Sequence, residues 1–214
     1  MRSSTISGIE RARRPRSKPN SRLTHISEHP DRRFAPREFS SGLIAGVDEA
    51  GRGPLAGPVV ASAVILSPDR IPPGIKDSKQ LGPARRERLY LEIMNEALAV
   101  GTGVVSAPAI DLMNILEATM LAMAEAVSSL AERPGFVLVD GTGLPDIQVP
   151  AASVIGGDSK CISIAAASIV AKVTRDRFME RMDAFYPRYR FHVHKGYGTR
   201  GHIDAIRRYG PTRL

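Results

Sequence analysis

Cysteine is nearly absent from this sequence, since Cys161 is the only one among 214 residues. A single cysteine excludes an internal disulfide framework and a zinc site built from several cysteines. It also favours a reducing, cytoplasmic setting, in which free thiols persist. As a lone thiol, Cys161 is predicted to pack inertly in a helix rather than to act as a nucleophile.

Long apolar runs, repeats and targeting patterns are also missing. No run reaches the roughly 20 residues that a membrane-spanning helix needs, and the N-terminus lacks the charged-then-apolar pattern of a secretory signal. The sequence contains no internal repeat or heptad array. We therefore expect one globular domain without membrane contact, because 214 residues are enough to bury a real core.

Positive charge is in excess, and most of the excess lies near the N-terminus. The net charge of +8 favours an anionic partner, most commonly nucleic acid. Residues 1–42 hold ten Lys and Arg against four Asp and Glu, whereas residues 43–214 hold twenty against eighteen. Residues 1–42 also lack an apolar period and are predicted to form a disordered basic arm. Two interpretations of the arm stay open: a solvated tail without a specific role, or a non-specific nucleic-acid arm.

Apolar periodicity predicts an α/β domain. Short apolar runs bounded by turn residues predict strands at 43–47, 59–66, 101–107, 136–139 and 148–155. Helical spacing predicts helices over 83–100, 108–130 with a break near Asn114, 161–184 and 200–209, with an irregular segment at 186–198. The first two strands suit a hairpin-like pairing. This order of elements predicts a mixed β-sheet covered by helices.

Acidic residues follow the ends of these predicted strands. Asp48 and Glu49 end the first strand, Asp140 ends the fourth, and Asp158 follows the fifth. Ligand sites gather at strand ends in open α/β sheets, and clustered carboxylates repel one another unless cations neutralise them. We therefore predict a site for divalent cations. Taken alone, Asp140 is equally typical of a turn with Gly141, and Asp158 of a helix N-cap.

The first acidic pair raises a geometric question and adjoins a polar turn. Successive residues of a regular strand point to opposite faces, so Asp48 and Glu49 share a metal only if the strand twists or ends there. Otherwise Glu49 reaches the metal by its backbone carbonyl or through water. The turn Gly51-Arg52-Gly53 offers backbone N–H groups and a guanidinium, which suit phosphate. Acids beside such a turn indicate phosphoryl-transfer chemistry.

Three histidines near the C-terminus do not predict a zinc site. His192, His194 and His202 have a spacing that fits no familiar zinc pattern, and no cysteine is near them in the sequence. We expect these histidines to lie near phosphates or simply at the surface.

Six motifs, in order from about residue 43 to residue 209, resemble the ribonuclease HII family. The stretch DEAGRG is highly specific for this family, whereas the other motifs are weak when taken alone. The Arg-rich N-terminal arm is not part of the family pattern. The motifs are GVDEAGRGP at 46–54, DSK at 77–79, VDG at 139–141, GGDS at 156–159, AASIVAKVTRD at 166–176 and HKGYGT at 194–199.

The resemblance implies an RNase H-like fold, in which a mixed β-sheet is flanked by helices and followed by a small C-terminal helical segment. Residues 43–185 would form the catalytic domain and residues 186–214 a substrate-contacting segment. The implied enzyme is an endonuclease that cuts the RNA strand of RNA–DNA hybrids. It also cuts 5′ of single ribonucleotides in duplex DNA and leaves a 3′-hydroxyl and a 5′-phosphomonoester. Such an enzyme serves ribonucleotide and RNA-primer removal in DNA replication and repair, and is expected to be a cytoplasmic monomer.

The resemblance also implies cofactors and catalytic residues. The cofactors are divalent metal ions, Mn²⁺ or Mg²⁺, and the reaction is an in-line attack of water on the phosphodiester. One cation would activate the water and another would stabilise the leaving 3′ oxygen. By motif position, the residues that resemble the family's catalytic, metal-binding acids are Asp48, Glu49, Asp140 and Asp158.

Substrate-binding residues are implied in the same way. The turn of Gly51, Arg52 and Gly53 resembles the family's turn that reads the ribose 2′-hydroxyl through backbone groups. That hydroxyl distinguishes RNA from DNA, and a glycine permits close approach. Tyr197 resembles the tyrosine that packs at the RNA-to-DNA junction, the alternative being a ring packed on the last helix. Candidates for backbone phosphates are Lys79 and Lys172, the alternatives being a surface lysine and a solvated helix lysine.

Three other functions stay open on the residues alone. An RNase H-like DNA nuclease or resolvase would use the same acids, but the turn at 51–53 and Tyr197 argue against it. A binding module with an inactive site is disfavoured because all four acids are present. A phosphatase with an aspartyl nucleophile would form a phosphoenzyme, which we do not expect to be detected.

Overall fold

A computed structural model describes residues 29–39 and 42–214 of the chain. Its mixed sheet of five strands has the order β3-β2-β1-β4-β5. The first three strands pair antiparallel, β1 with β2 and β2 with β3, whereas β1 pairs parallel with β4 and β4 with β5. The predicted hairpin and mixed sheet are confirmed. The strands are β1 (Ile44–Ala50), β2 (Val59–Ile65), β3 (Ala99–Val105), β4 (Phe136–Asp140) and β5 (Ala151–Val154).

Helices cover both faces of the sheet. The alternation of β1 and β2 sends one set of apolar side chains towards α3 and the other towards α4, so that two cores form. The contact between β1 and α4 is especially close, because a Cβ at Gly46 would lie 2.1 Å from the carbonyl carbon of Ser163. The helices are α1 (Pro83–Glu96), α2 (Ala107–Met113), α3 (Ile115–Ser128), α4 (Ile162–Asp183), α5 (Phe191–His194) and α6 (Arg200–Tyr209).

The C-terminal residues pack on the second half of α4. Tyr189 and Phe191 stack with ring centroids 5.5 Å apart, and they share a small core with Met179 and Ala205. The segment that was predicted to be irregular therefore contains the one-turn helix α5 and an aromatic cluster. Within the residues that the structure describes, no helix is both long and apolar enough to cross a membrane.

Two boundary predictions can be compared with the structure. The helix predicted over 83–100 ends at Glu96 instead, because the N–H of Leu98 donates to the carbonyl of Ile65 at 2.8 Å and Ala99 begins β3. The predicted break near Asn114 is confirmed. Asn114 has a φ of 92°, and its side chain accepts hydrogen bonds from the first backbone N–H groups of α3.

The region just before β1 differs most from the sequence-based prediction. Residues 29–39, here called the docked segment, include a 3-10 helix at Pro30–Phe34, so predicted disorder through residue 42 is wrong for them. The segment is held by burial of its aromatic rings: Phe39 lies 5.5 Å from the ring of Phe136, and Phe34 packs at the same edge of the sheet. The arginine cluster at 11–18 lies outside the described residues.

Candidate active site

Three of the four predicted acids meet at one edge of the sheet. Asp48 lies in β1, Asp140 ends the neighbouring parallel strand β4, and Asp158 lies in the 3-10 turn Gly157–Ser159 after β5. Because β1, β4 and β5 run parallel, their carboxyl ends lie at the same edge. In the described ranges, one carboxylate oxygen from each of the three acids lies within 4.8 Å of the others.

Burial and mutual repulsion make this cluster electrostatically unfavourable when it carries no cation. Asp48 is only 6% exposed. Its pKa is raised well above the usual range by burial and by the negative charges of Glu49 and Asp140. The pKa of Asp158 is also raised, by burial and by the charges of Asp77 and Asp140. Such a set of oxygens fits a hard divalent cation, which would relieve the repulsion.

Backbone hydrogen bonds fix two of these carboxylates. Asp48 Oδ1 accepts from the N–H of Glu49 at 2.7 Å. Asp140 Oδ1 accepts from the N–H of Gly157 at 2.6 Å, which ties β4 to the turn that carries Asp158. A Cβ at Gly157 would lie 2.5 Å from Ile164 Cδ1, so the turn sits tightly against α4. The Asp48 and Asp140 carboxylates are therefore held by the backbone, and Asp158 is placed by the turn that carries it.

Glu49 does not belong to this group of three. Strand β1 stays paired with β2 through Ala50. The Glu49 carboxylate is nevertheless close enough to the other acids for its charge to raise the pKa of Asp48. Its carboxylate Oε1 lies 3.4 Å from Arg52 Nη1. Burial raises the pKa of Glu49, while the nearby Arg52 charge opposes that shift. Glu49 therefore borders the three acids without supplying one of the oxygens that lie within 4.8 Å of one another.

The turn after β1 lies close to Tyr197. Gly51 has a φ of +115°, and a Cβ there would lie 2.4 Å from the carbonyl oxygen of Pro58, so only glycine suits this position. A Cβ at Gly53 would lie 4.0 Å from Tyr197 Cε1. Tyr197 is 41% exposed. A half-exposed ring beside an accessible backbone turn is suited to contact a nucleotide.

Arg175 links the turn at 51–53 to the loop that carries Tyr197. It was not among the residues predicted from the sequence. Its guanidinium is completely buried and donates to the carbonyls of Ala56, Pro58 and Lys195, each at 2.9 Å. Burial lowers its pKa. The three carbonyls belong to the loop that follows the 51–53 turn and to the loop that carries Tyr197. One signal in the sequence could have indicated its burial, since Arg175 lies on a helix whose first half is apolar on all sides.

The two predicted phosphate-binding lysines have different surroundings. Lys79 is largely exposed, and its Nζ lies 3.4 Å from Asp158 Oδ2. Lys172 Nζ bonds Asp176 Oδ1 at 2.7 Å and lies 5.3 Å from the centroid of the Tyr197 ring. Both lysines therefore border the site, and their contact with phosphate stays a prediction.

His194, His202 and Cys161 are structural, whereas His192 is exposed as expected. His194 and His202 are buried and stacked at 4.4 Å, so the expectation that they lie at the surface is wrong. Their ring nitrogens bond the carbonyls of Tyr189 and Tyr197, at 2.7 and 3.0 Å respectively. Cys161 is buried, and desolvation raises its pKa to about 12, which agrees with the predicted inert packing.

Comparison with known proteins agrees with this geometry. The family model described as Ribonuclease HII matches residues 45–214. Ribonuclease HII of Geobacillus thermodenitrificans (strain NG80-2) is 54% identical over 182 residues, which cover 84% of this chain and 70% of that protein.

Solved structures agree as well. The ribonuclease H2 of Pyrococcus horikoshii OT3 is similar at a TM-score of 0.65 and 30% identity, covering 79% of this chain and 90% of that one. A chain in the PCNA:RNase HII complex from Archaeoglobus fulgidus is similar at a TM-score of 0.65 and 27% identity, covering 80% and 92%. The predicted RNase H-like fold is confirmed. The chain belongs to the ribonuclease HII family and is a ribonuclease H, an endonuclease that acts on the RNA of RNA–DNA hybrids.

Proposed function

We propose that this enzyme also cleaves duplex DNA that contains a single ribonucleotide, on the 5′ side of that ribonucleotide, with divalent metal ions as cofactors. One observation supports the proposal: the turn at 51–53 follows the acid-bearing strand β1 and lies next to the ring of Tyr197. A site with this layout can recognise one sugar hydroxyl between the acids and the ring, because the 2′-hydroxyl is what separates RNA from DNA at one nucleotide.

The metal would be held by the acids. Asp48, Asp140 and Asp158 supply the oxygens that lie close together, and Glu49 is the fourth proposed ligand, through its backbone carbonyl or through water. When bound, Mn²⁺ or Mg²⁺ supplies the charge that activates water and stabilises the leaving 3′ oxygen.

The other residues bind and orient the substrate. Gly51, Arg52 and Gly53 would present backbone groups to the 2′-hydroxyl, and Tyr197 would pack against the sugar at the RNA-to-DNA junction. Arg175 holds these two parts against each other through its three carbonyl contacts. Lys79 and Lys172 would contact backbone phosphates at the border of the site.

We propose a cytoplasmic location, because the Geobacillus relative is bacterial and bacterial chromosomal DNA lies in the cytoplasm. The enzyme is expected to act on its substrate as a monomer, which light scattering of the free protein would test. Removal of embedded ribonucleotides and RNA primers is the corresponding role.

A duplex with one ribonucleotide in an end-labelled strand tests the proposal. We expect one cut on the 5′ side of the ribonucleotide, a 3′-hydroxyl on the released fragment, and no cleavage after chelation of divalent metal. An all-DNA duplex and a duplex with a 2′-O-methyl ribonucleotide at the same position are the matched controls. Equal cleavage of the all-DNA control, or cleavage of continuous hybrids alone, would contradict the proposal.

A further inference from the structure

Helix α4 begins next to the candidate metal site, but no residue adjacent to it in sequence caps its N-terminus. Cys161 occupies the N-cap position and makes no side-chain cap hydrogen bond. Asp31 of the docked segment supplies the cap instead. Its two carboxylate oxygens accept from the N–H groups of Ile162 and Ser163, each at 2.8 Å. A carboxylate at a helix N-terminus satisfies free donors and opposes the helix dipole.

Asp31 is held rigidly in this position. It is only 1% exposed, and its own N–H donates to His29 Nδ1 at 3.2 Å. Arg33 of the same segment donates to the carbonyl of Lys160 at 3.0 Å, one residue before the cap position. The aromatic residues Phe34 and Phe39 anchor the segment to the edge of the sheet. The carboxylate therefore reaches α4 from a fixed support.

A short run of hydrogen bonds joins this cap to the catalytic acids. The N–H of Cys161 donates to the carbonyl of Gly157 at 2.7 Å, and the N–H of Gly157 donates to Asp140 Oδ1 at 2.6 Å. The five residues from Gly157 to Cys161, which carry Asp158, are thus held by Asp140 at one end and by Asp31 just past the other.

We propose that Asp31 is a positioning residue for the metal site: by fixing the start of α4, it sets Asp158 at the right distance from Asp48 and Asp140. This inference rests on the proposed metal site. Asp31 lies outside residues 45–214, which match the family, and outside every motif that resembles it. It is also separated by 131 residues from Ile162, the residue it caps.

Substitution Asp31→Asn tests the proposal. An amide keeps one acceptor oxygen but turns an NH₂ group towards the second backbone N–H, so one hydrogen bond is lost and two donors face each other. The matched control is Glu38→Gln, which makes the same chemical change at an exposed position of the same segment. Both variants are made in the full chain.

The main readout is Mn²⁺ binding without substrate, measured by calorimetric titration and by the rise in melting temperature. We expect Asp31→Asn to raise the half-saturating Mn²⁺ concentration about tenfold, as loss of a residue that orients metal ligands does. The KM for an RNA–DNA hybrid should stay unchanged, and excess Mn²⁺ should restore most of kcat. Asp31→Ser, which removes the carboxylate without setting two donors against each other, should give a smaller rise, and Glu38→Gln should match wild type.

The outcomes distinguish failure of the positioning role from failure of the metal site. If Asp31→Asn and Asp31→Ser lower the melting temperature but bind Mn²⁺ as the control does, Asp31 is merely a structural cap and the inference is overturned. If wild type itself shows no Mn²⁺-induced shift, and Asp48→Asn stays active, the proposed metal site fails and the inference fails with it.

Discussion

The acid cluster and Arg175 both place charge away from solvent, Arg175 completely and the acids wholly at Asp48 and partly at Asp140 and Asp158. Their hydrogen-bonding surroundings are opposite. Arg175 has three backbone carbonyls as partners. Asp48, Asp140 and Asp158 face one another, and the nearest opposite charge in the described residues is the largely exposed Lys79 at 3.4 Å from Asp158. Arg175 therefore holds two loops together, whereas the three acids repel one another and raise the free energy of the folded protein.

The difference indicates which buried charges serve folding and which serve function. A buried charge that is fully hydrogen-bonded is costly to remove, because its partners lose their donors. Like charges that are buried together persist only where a ligand will neutralise them, and titratable groups with shifted pKa values gather at functional sites for this reason. The two regions should therefore respond to mutation with opposite signs.

The largest expected effect is on catalysis by Asp48→Asn. Loss of a metal ligand should lower kcat on an RNA–DNA hybrid by about 10³-fold or more. Without metal the same variant should be more stable than wild type, by about 1 kcal/mol, because the amide keeps the hydrogen bond from Glu49 and removes a repelling charge. Denaturant unfolding with chelator, beside single-turnover assays, measures both effects.

The exposed Asp111→Asn in α2 is the matched control for this prediction, and it should change neither quantity. If Asp48→Asn destabilises the metal-free protein, repulsion among the acids is not the main influence on stability at this site. The contrast with Arg175 would then be lost.

The next effect concerns stability alone. Arg175→Leu should lower the free energy of unfolding by about 3 kcal/mol, because three buried carbonyls lose their donors together. Arg181→Leu removes the same charge from an exposed position of the same helix and should cost less than about 1 kcal/mol. Equal costs in urea unfolding would show that the carbonyl contacts contribute little.

The smallest effect is a pH dependence of the loop that carries Tyr197. Burial lowers the pKa of His194 below its usual 6.5, and the charges of His202 and His192 act in the same direction, against Asp183 and a hydrogen bond to the carbonyl of Tyr189. Above pH 6.5 the residue is neutral in both states and its contribution to stability is complete. As the pH falls below that value the unfolded chain binds the proton first, so stability decreases.

Unfolding of the metal-free protein between pH 8 and about pH 5 would measure this loss. His194→Asn should show a flatter pH profile than wild type. His192→Asn, whose exposed side chain is the smallest influence on the His194 pKa, should change the slope much less. A steeper profile in His194→Asn would contradict the assignment.

Much of the fold and part of the site could be predicted from local sequence. Apolar runs identified all five strands, and Asn114 marked a real break, because those signals depend on near neighbours. The acids were found because each lies at or just after the end of a strand, although Glu49 is not among the three whose oxygens lie close together. Arg175 was missed because a basic residue on a helix is usually solvated.

Helix capping is a second case in which local sequence did not reveal a contact. Asp158 was a candidate for a helix N-cap, and that interpretation is wrong for α4, because Cys161 occupies the N-cap position. Local capping rules consider only residues within one helical turn. The carboxylate that caps the helix comes from Asp31 instead. No pattern of spacing in one sequence indicates such a contact.

The distance between Asp31 and Ile162 along the chain also orders events during synthesis. The docked segment leaves the ribosome early, but the helix it caps follows 131 residues later. At common rates of translation this interval lasts on the order of 10 s. Strand β4, the parallel partner of β1, is likewise made long after it. The nascent chain therefore carries Asp48 while 92 further residues are added to reach Asp140 and 110 to reach Asp158, and the nuclease site is assembled only after that.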